Sequence, residues 1–164
     1  MASTTVSTTP SLETVESVDL QRYVGLWYEI AKIPNRFQDQ CVANTTAEYG
    51  LREDGKISVT NRCETANGDM DTATGVAKVV DSETNAKLKV SFVRFLWRNW
   101  FWGDYWIIGL DEEYEWAVIG TPSRKYGWIL SRTPEMSEED LNRCYEILTE
   151  QGYDPVNFES TPQE

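Results

Sequence analysis

The first regular alternation in the chain lies at 25–33. There Trp27, Glu29, Ala31 and Ile33 fall on one face of an extended segment, and Tyr28, Ile30 and Lys32 on the other. The same period of two returns in Cys41–Leu51, with Ala47, Tyr49 and Leu51 set against Glu48 and Gly50, and again at 57–64. Further strands are predicted at 72–80, 87–92, 105–110, 114–120 and 127–132, separated by turn-forming runs such as Glu53-Asp54-Gly55-Lys56 and Asn67-Gly68-Asp69. Short strands joined by turns, with no helix among them, predict an all-β, eight-stranded up-and-down antiparallel barrel, because closure removes exposed sheet edges. A two-sheet sandwich is the other arrangement this pattern allows. After Pro134 the period changes. Ser137 followed by Glu138, Glu139 and Asp140 forms a helix start, Leu141, Cys144, Tyr145 and Leu148 make one stripe, and Gly152 ends it. One C-terminal amphipathic helix packed outside the barrel is the expectation. Residues 1–17 are Ser/Thr-rich and aperiodic, which predicts a flexible leader before a single unit at 18–160. Asp19 is placed to cap a short turn at 20–24.

Alternating strand direction gives the barrel a polarity. Turns 53–56, 81–86 and 111–113 share the bottom with the start of the first strand, and the longer segments 34–40, 64–71, 93–104 and 121–126 share the top. A barrel closed at one end and fringed by long loops at the other is a cup. Parity of the strands nominates its lining. The candidate ligand contacts are Glu29 and Ala31 on the first strand, Ala47 and Tyr49 on the second, Val90 and Phe92 on the fifth. Trp106 and Ile108, Trp116, and Trp128 continue the set on the last three. At the bottom, Trp27 and Arg132 lie on the first and last strands, which closure makes neighbours. A guanidinium there can stack on the indole while donating to backbone carbonyls.

Composition narrows the chemistry. The 164 residues contain no histidine, which removes Ser-His and Cys-His catalysis and histidine-ligated metals. A net charge of −12 repels nucleic acid on average. No cofactor motif is present. Seven Trp and eight Tyr make the chain rich in large side chains with a polar tip. The segment containing Arg94, Phe95, Trp97, Arg98, Trp100, Phe101 and Trp102 reads in two ways. It is a lid folded into the mouth, or an exposed tip whose arginines meet lipid phosphates while indoles sit at the interface. Cys41 and Cys63 are both expected at the top of adjacent strands. A strict ladder leaves them roughly 13 Å apart, so a bond between them requires a bulge, and two free thiols are the alternative.

Gly25-x-Trp27, the turn Asp111-Glu112-Glu113-Tyr114, and Ile129-Leu130-Ser131-Arg132-Thr133-Pro134 resemble, in this order, the three signature segments of the lipocalin family. The likeness is to the branch of bacterial outer-membrane lipocalins and apolipoprotein D. It implies a barrel, monomeric or weakly dimeric, that carries a small hydrophobic ligand such as a fatty acid or lysophospholipid. Gly25, Trp27, Tyr114 and Arg132 would then hold the fold. Glu112-Glu113 departs from the Thr-Asp of many relatives. Some lipocalin-like barrels act on lipids or pigments, and Glu29 would be the proton donor in such an enzyme; against this, no activated nucleophile is present. A third reading is a membrane-surface protein working through residues 94–102. Ala2-Ser3-Thr4-Thr5 resembles the residues that follow a lipidated cysteine in bacterial lipoproteins, which implies an outer-membrane or periplasmic location with the signal segment removed. A native start at Met1 implies the cytoplasm instead.

Overall fold

In the computed structural model, residues 11–92 and 103–164 are described. The expected tip at 94–102 lies outside them. Asp19 accepts a hydrogen bond from the Gln21 amide and starts a single helical turn, α1 (Leu20–Tyr23). The chain then enters β1 (Gly25–Lys32), followed by β2 (Cys41–Leu51), β3 (Ile57–Thr65), β4 (Met70–Val79) and β5 (Lys87–Phe92). After residue 102 come β6 (Gly103–Leu110), β7 (Trp116–Gly120) and β8 (Gly127–Ser131). Each strand pairs antiparallel with the next, and β1 pairs with both β8 and β2, so the sheet closes as an up-and-down barrel. Helix α2 (Glu138–Glu150) is capped by Ser137 and lays Cys144, Ile147 and Leu148 on the outer face of β6 and β7.

The base is closed by one cation. The Arg132 guanidinium carbon sits 3.8 Å from the centroid of the Trp27 ring. Its nitrogens donate to the carbonyls of Arg22 at 2.7 Å, Tyr23 and Leu26 at 3.0 Å, Val24 at 3.1 Å and Tyr114 at 3.2 Å. These carbonyls come from α1, from the start of β1 and from the turn before β7. The Trp27 indole N–H donates to the Tyr23 carbonyl at 2.8 Å, so the buried ring has its polar partner. Gly25 has φ +108°, and a Cβ there would lie 3.2 Å from an Arg132 nitrogen, so the glycine both makes the turn and admits the cation. Tyr114, at φ +59°, belongs to the turn before β7, and its hydroxyl accepts the Asp19 amide at 2.9 Å. The Arg22 guanidinium covers the ring of Tyr114 at 4.1 Å.

The expected leader boundary at residue 17 is corrected. Leu12 is buried in the cluster under α2, the Val15 amide donates to the Ile107 carbonyl, and Val18 is buried in the barrel core. Leucine and valine spaced along a Ser/Thr-rich segment anchor it by burial, without any periodicity.

The seam between β1 and β2 is paired only at its lower end, from Gly25↔Tyr49 to Tyr28↔Thr46. Above that, the C-terminal tail fills the gap. A two-residue strand, β9 (Glu159–Ser160), pairs with Ala31 and Lys32. The Gln163 side-chain amide donates to the carbonyls of both Glu29 and Thr45 at 2.8 Å, so one amide group bridges the two main chains. On the far side of β2 the register slips twice between Cys41 and Thr46, and the slips bring Cys41 within 5.4 Å of Cys63, Cα to Cα, where the two form a disulfide.

Arg132→Ala removes the stacked cation and leaves several carbonyls without a donor. Its expected effect is a loss of roughly 1–3 kcal/mol in unfolding free energy. Urea unfolding should show a lower midpoint with an unchanged slope, and Arg132→Lys should recover little, since an ammonium cannot fan out to the same carbonyls. An unshifted midpoint would show that the base does not depend on this cation.

Candidate functional site

The barrel interior divides by height. Its lower half is packed by Trp27, Ile57, Val59, Leu88, Ile107, Ala117, Ile119 and Leu130, all buried. Higher up, the inward positions become small. Ala47 stands opposite Asn61, Asn61 opposite Ala73, and Gly75 opposite Phe92. A Cβ at Gly75 would come within 2.4 Å of the Ser91 carbonyl oxygen and 2.8 Å of the Phe92 ring, so that ring is able to lie against the wall. Ala73 is exposed although it shares the inward face with buried Ala77, and Ala47, Val90, Phe92 and Trp128 are only partly buried. Among the described residues, the upper chamber is therefore less filled than the sealed base.

Three phenols meet where the two halves join. Tyr23 rises from the end of α1, Tyr49 points in from β2 and Tyr105 from β6. The Tyr49 hydroxyl donates to that of Tyr105 at 2.9 Å, and the hydroxyls of Tyr23 and Tyr105 are 2.6 Å apart. The Tyr23 and Tyr49 rings stack at 5.8 Å, and Tyr49 meets Tyr105 edge-on at 5.9 Å. Burial pushes all three hydroxyls above the usual phenol range, Tyr49 to about 12, so they stay protonated. With Ile57, Ala77, Leu88 and Val90 they enclose a cavity of about 10 Å³, at the lower limit for one water.

Glu29 is the buried acid of the site, 3% exposed. Thr161 Oγ1 donates to it at 2.6 Å and Gln38 Nε2 at 2.9 Å. The same Gln38 accepts from Trp128 Nε1 at 3.0 Å and from Asn35 Nδ2 at 2.8 Å, so the loop after β1 and the C-terminal tail converge on one carboxyl, and the top of β8 braces the loop through Gln38. Burial raises the pKa of Glu29, and the two donated hydrogen bonds only partly offset that. Thr45 Oγ1 and Asn61 Oδ1 are buried without a hydrogen-bond partner. Among the described residues, no three Cys, Asp or Glu side chains gather to hold a metal ion.

A family model described as a lipocalin-like domain matches residues 18–163. This chain belongs to the lipocalin-like family. It is 44% identical over 155 residues to temperature-induced lipocalin-1 of Arabidopsis thaliana, covering 93% of this chain and 83% of that one. It is 39% identical over 145 residues to the outer membrane lipoprotein Blc of Escherichia coli K12, covering 88% and 78%. With apolipoprotein D of Mus musculus it shares 32% over 162 residues, covering 94% and 82%. Among solved structures, insecticyanin from the tobacco hornworm Manduca sexta superposes with a TM-score of 0.76 at 23% identity, over 94% of this chain and 85% of that one, which speaks to the fold alone. As a lipocalin, the protein is a carrier that holds a small molecule in its barrel.

Of the residues nominated from parity, the lipocalin barrel brings Ala47, Tyr49, Val90, Phe92 and Trp128 to its inner face, with Glu29 close enough to Tyr49 to raise its pKa. Four others are corrected. Ala31, Trp106, Ile108 and Trp116 pack in the outer cluster beneath α2 and the tail. A register shift between Glu29 and Ala31 reverses the faces of β1, so that Ala31 pairs with outward Ile129. On β6 and β7 both faces are buried, one by the barrel and one by the helix. Neither strand then shows a polar face by which to fix parity, and Tyr105, Ile107, Ala117 and Ile119 point in instead. Trp106 carries Lys87 over its ring at 4.5 Å. Tyr23 and Tyr105 escaped the nomination, Tyr105 through that parity error and Tyr23 because it precedes the first strand. Cys144, buried beneath α2, has its thiol pushed up to about 12, which leaves it unreactive.

Glu29 gives this site a pH signature. A carboxyl whose folded pKa lies above its ordinary value of 4.5 is best tolerated when protonated. Its ionised form costs stability as pH rises through the folded value. The stability of Glu29→Gln relative to the parent should therefore climb as pH rises above the ordinary carboxyl range and level off once the folded carboxyl is ionised. Unfolding free energies measured from pH 4 to pH 8 check this, and a difference that stays flat would mean the buried carboxyl carries no such penalty.

Proposed function

We propose that this lipocalin carries a single-chain amphiphile, a fatty acid, lysophospholipid or similar molecule, with its chain in the barrel and its head group at the mouth. The observation that carries this reading is the gradient along the barrel axis, from a sealed apolar base to a less filled chamber walled by Ala47, Ala73, Gly75 and Phe92. Each methylene moved there from water gains roughly 0.8 kcal/mol. The unpaired Asn61 Oδ1, between Ala47 and Ala73 high in the chamber, supplies a polar contact suited to a head group. The Cys41–Cys63 disulfide supports an oxidising compartment, and an outer-membrane or periplasmic location fits both it and the relatives named as outer-membrane lipoproteins. A peripheral membrane contact through residues 94–102 belongs to the same reading: two arginines among five aromatic residues suit a lipid surface. Flotation with anionic vesicles should recover the parent chain and lose Trp97→Ser/Trp100→Ser; equal recovery would remove the contact.

A fluorescent fatty-acid analogue should bind the delipidated protein at one site and quench tryptophan emission. Trp128→Ala should weaken binding by about five- to tenfold, through lost contact area in the chamber. Trp106→Ala, on the outer face, should leave it unchanged. Failure of every apolar chain to bind, or sensitivity to Trp106 alone, would overturn the proposal.

A further inference from the structure

The three hydroxyls at the chamber floor hold one proton more than they can use among themselves. Tyr49 donates to Tyr105, and Tyr23 and Tyr105 share a second bond, so two bonds consume two of the three protons. The remaining proton sits on Tyr23 when Tyr105 donates to it, and on Tyr105 when Tyr23 donates. No carbonyl or carboxylate of the described residues bonds to either oxygen. Ile57, Ala77, Leu88 and Val90 around the cluster offer no acceptor. A buried donor without a partner is costly, and a ligand oxygen that meets it recovers that cost.

We infer that the chamber floor is a recognition site for a neutral oxygen acceptor, a ketone or hydroxyl at the inward end of an otherwise apolar ligand. This rests on the carrier reading and narrows its ligand class: a plain hydrocarbon end reaching the floor leaves the spare phenol proton unmet. An ionised carboxylate suits the floor poorly. It needs several donors to replace its hydration, and the cluster has one to give. The nearby Arg132 makes its hydrogen bonds among the described residues to five carbonyls around the base and none to the phenols. Tyr105 is itself only partly buried, so the cluster adjoins the upper chamber and a ligand reaches it without crossing the packed lower half.

The test is displacement of a bound fluorescent fatty-acid analogue by alkan-2-ones and by 1-alkenes of matched length. The parent protein should bind the ketone about tenfold more tightly than the alkene, the size of one buried hydrogen bond. In the variant Tyr23→Phe/Tyr49→Phe/Tyr105→Phe the ratio should fall to one or below. A second readout needs no variant: the infrared carbonyl stretch of the bound ketone should lie below its position in alkane solvent. If the fluorescent probe binds but ketone and alkene displace it equally and the carbonyl stretch is unshifted, this inference fails and the carrier reading stands. If neither the probe nor any apolar competitor binds, both fail together.

Discussion

Everything above the base of this barrel depends on Arg132 being held flat against Trp27. A cation between an indole and five carbonyl oxygens joins segments that are distant in sequence: the entering turn α1, the first strand, the turn before β7 and the exit of β8. No apolar residue could do this, because the carbonyls converging there would lose their water with nothing in return. The glycine before Trp27 and the positive-φ Tyr114 are the backbone conditions for that convergence. With the bottom fixed, β1 and β2 part above Tyr28 and Thr46, and small inward side chains at that height leave a chamber.

Polar groups inside the barrel are organised by depth. The base is satisfied by main-chain carbonyls, the middle by hydroxyls that bond mostly to one another, and the mouth by an acid held by side chains from two segments, Gln38 and Thr161. Burial governs each level differently. It keeps the phenols protonated and makes Glu29 an expensive anion, while Arg132, partly exposed and bonded to five carbonyls, remains a cation. This small-molecule carrier thus keeps its charge at the two ends and neutral donors in between.

The barrel, its polarity and the Trp27–Arg132 contact were legible because strands with one wet face alternate, and because turns carry Gly, Asn and Asp at defined places. Legibility failed where that contrast vanished. β6 and β7 are covered on both sides, so Trp106, Ile108 and Trp116 look as inward as Tyr105 and Ile107 do. The bulge after Glu29 is silent in sequence, and it moved Ala31 to the other face. The bulges in β2 were recognisable only as a requirement of the Cys41–Cys63 bond. The two-residue β9 is too short to show any period at all, and Leu12 and Val15 anchor a segment that composition alone makes a leader.

The tail that bridges β1 and β2 changes what fixes the width of the mouth. In a fully laddered barrel the circumference follows from strand number and stagger and is the same from end to end. Here the lower rim obeys that rule, but the upper rim includes a wedge of chain, Glu159 to Glu164, held to β1 by β9 pairing and to β2 by the Gln163 side-chain amide and by hydrogen bonds of Pro162 and Glu164 with Asn44. Drawing that wedge out would break none of the β1–β2 ladder bonds. The barrel is therefore built like a garment with a gusset: its girth at the base is set by the cloth, and its girth at the opening by a separate inserted piece.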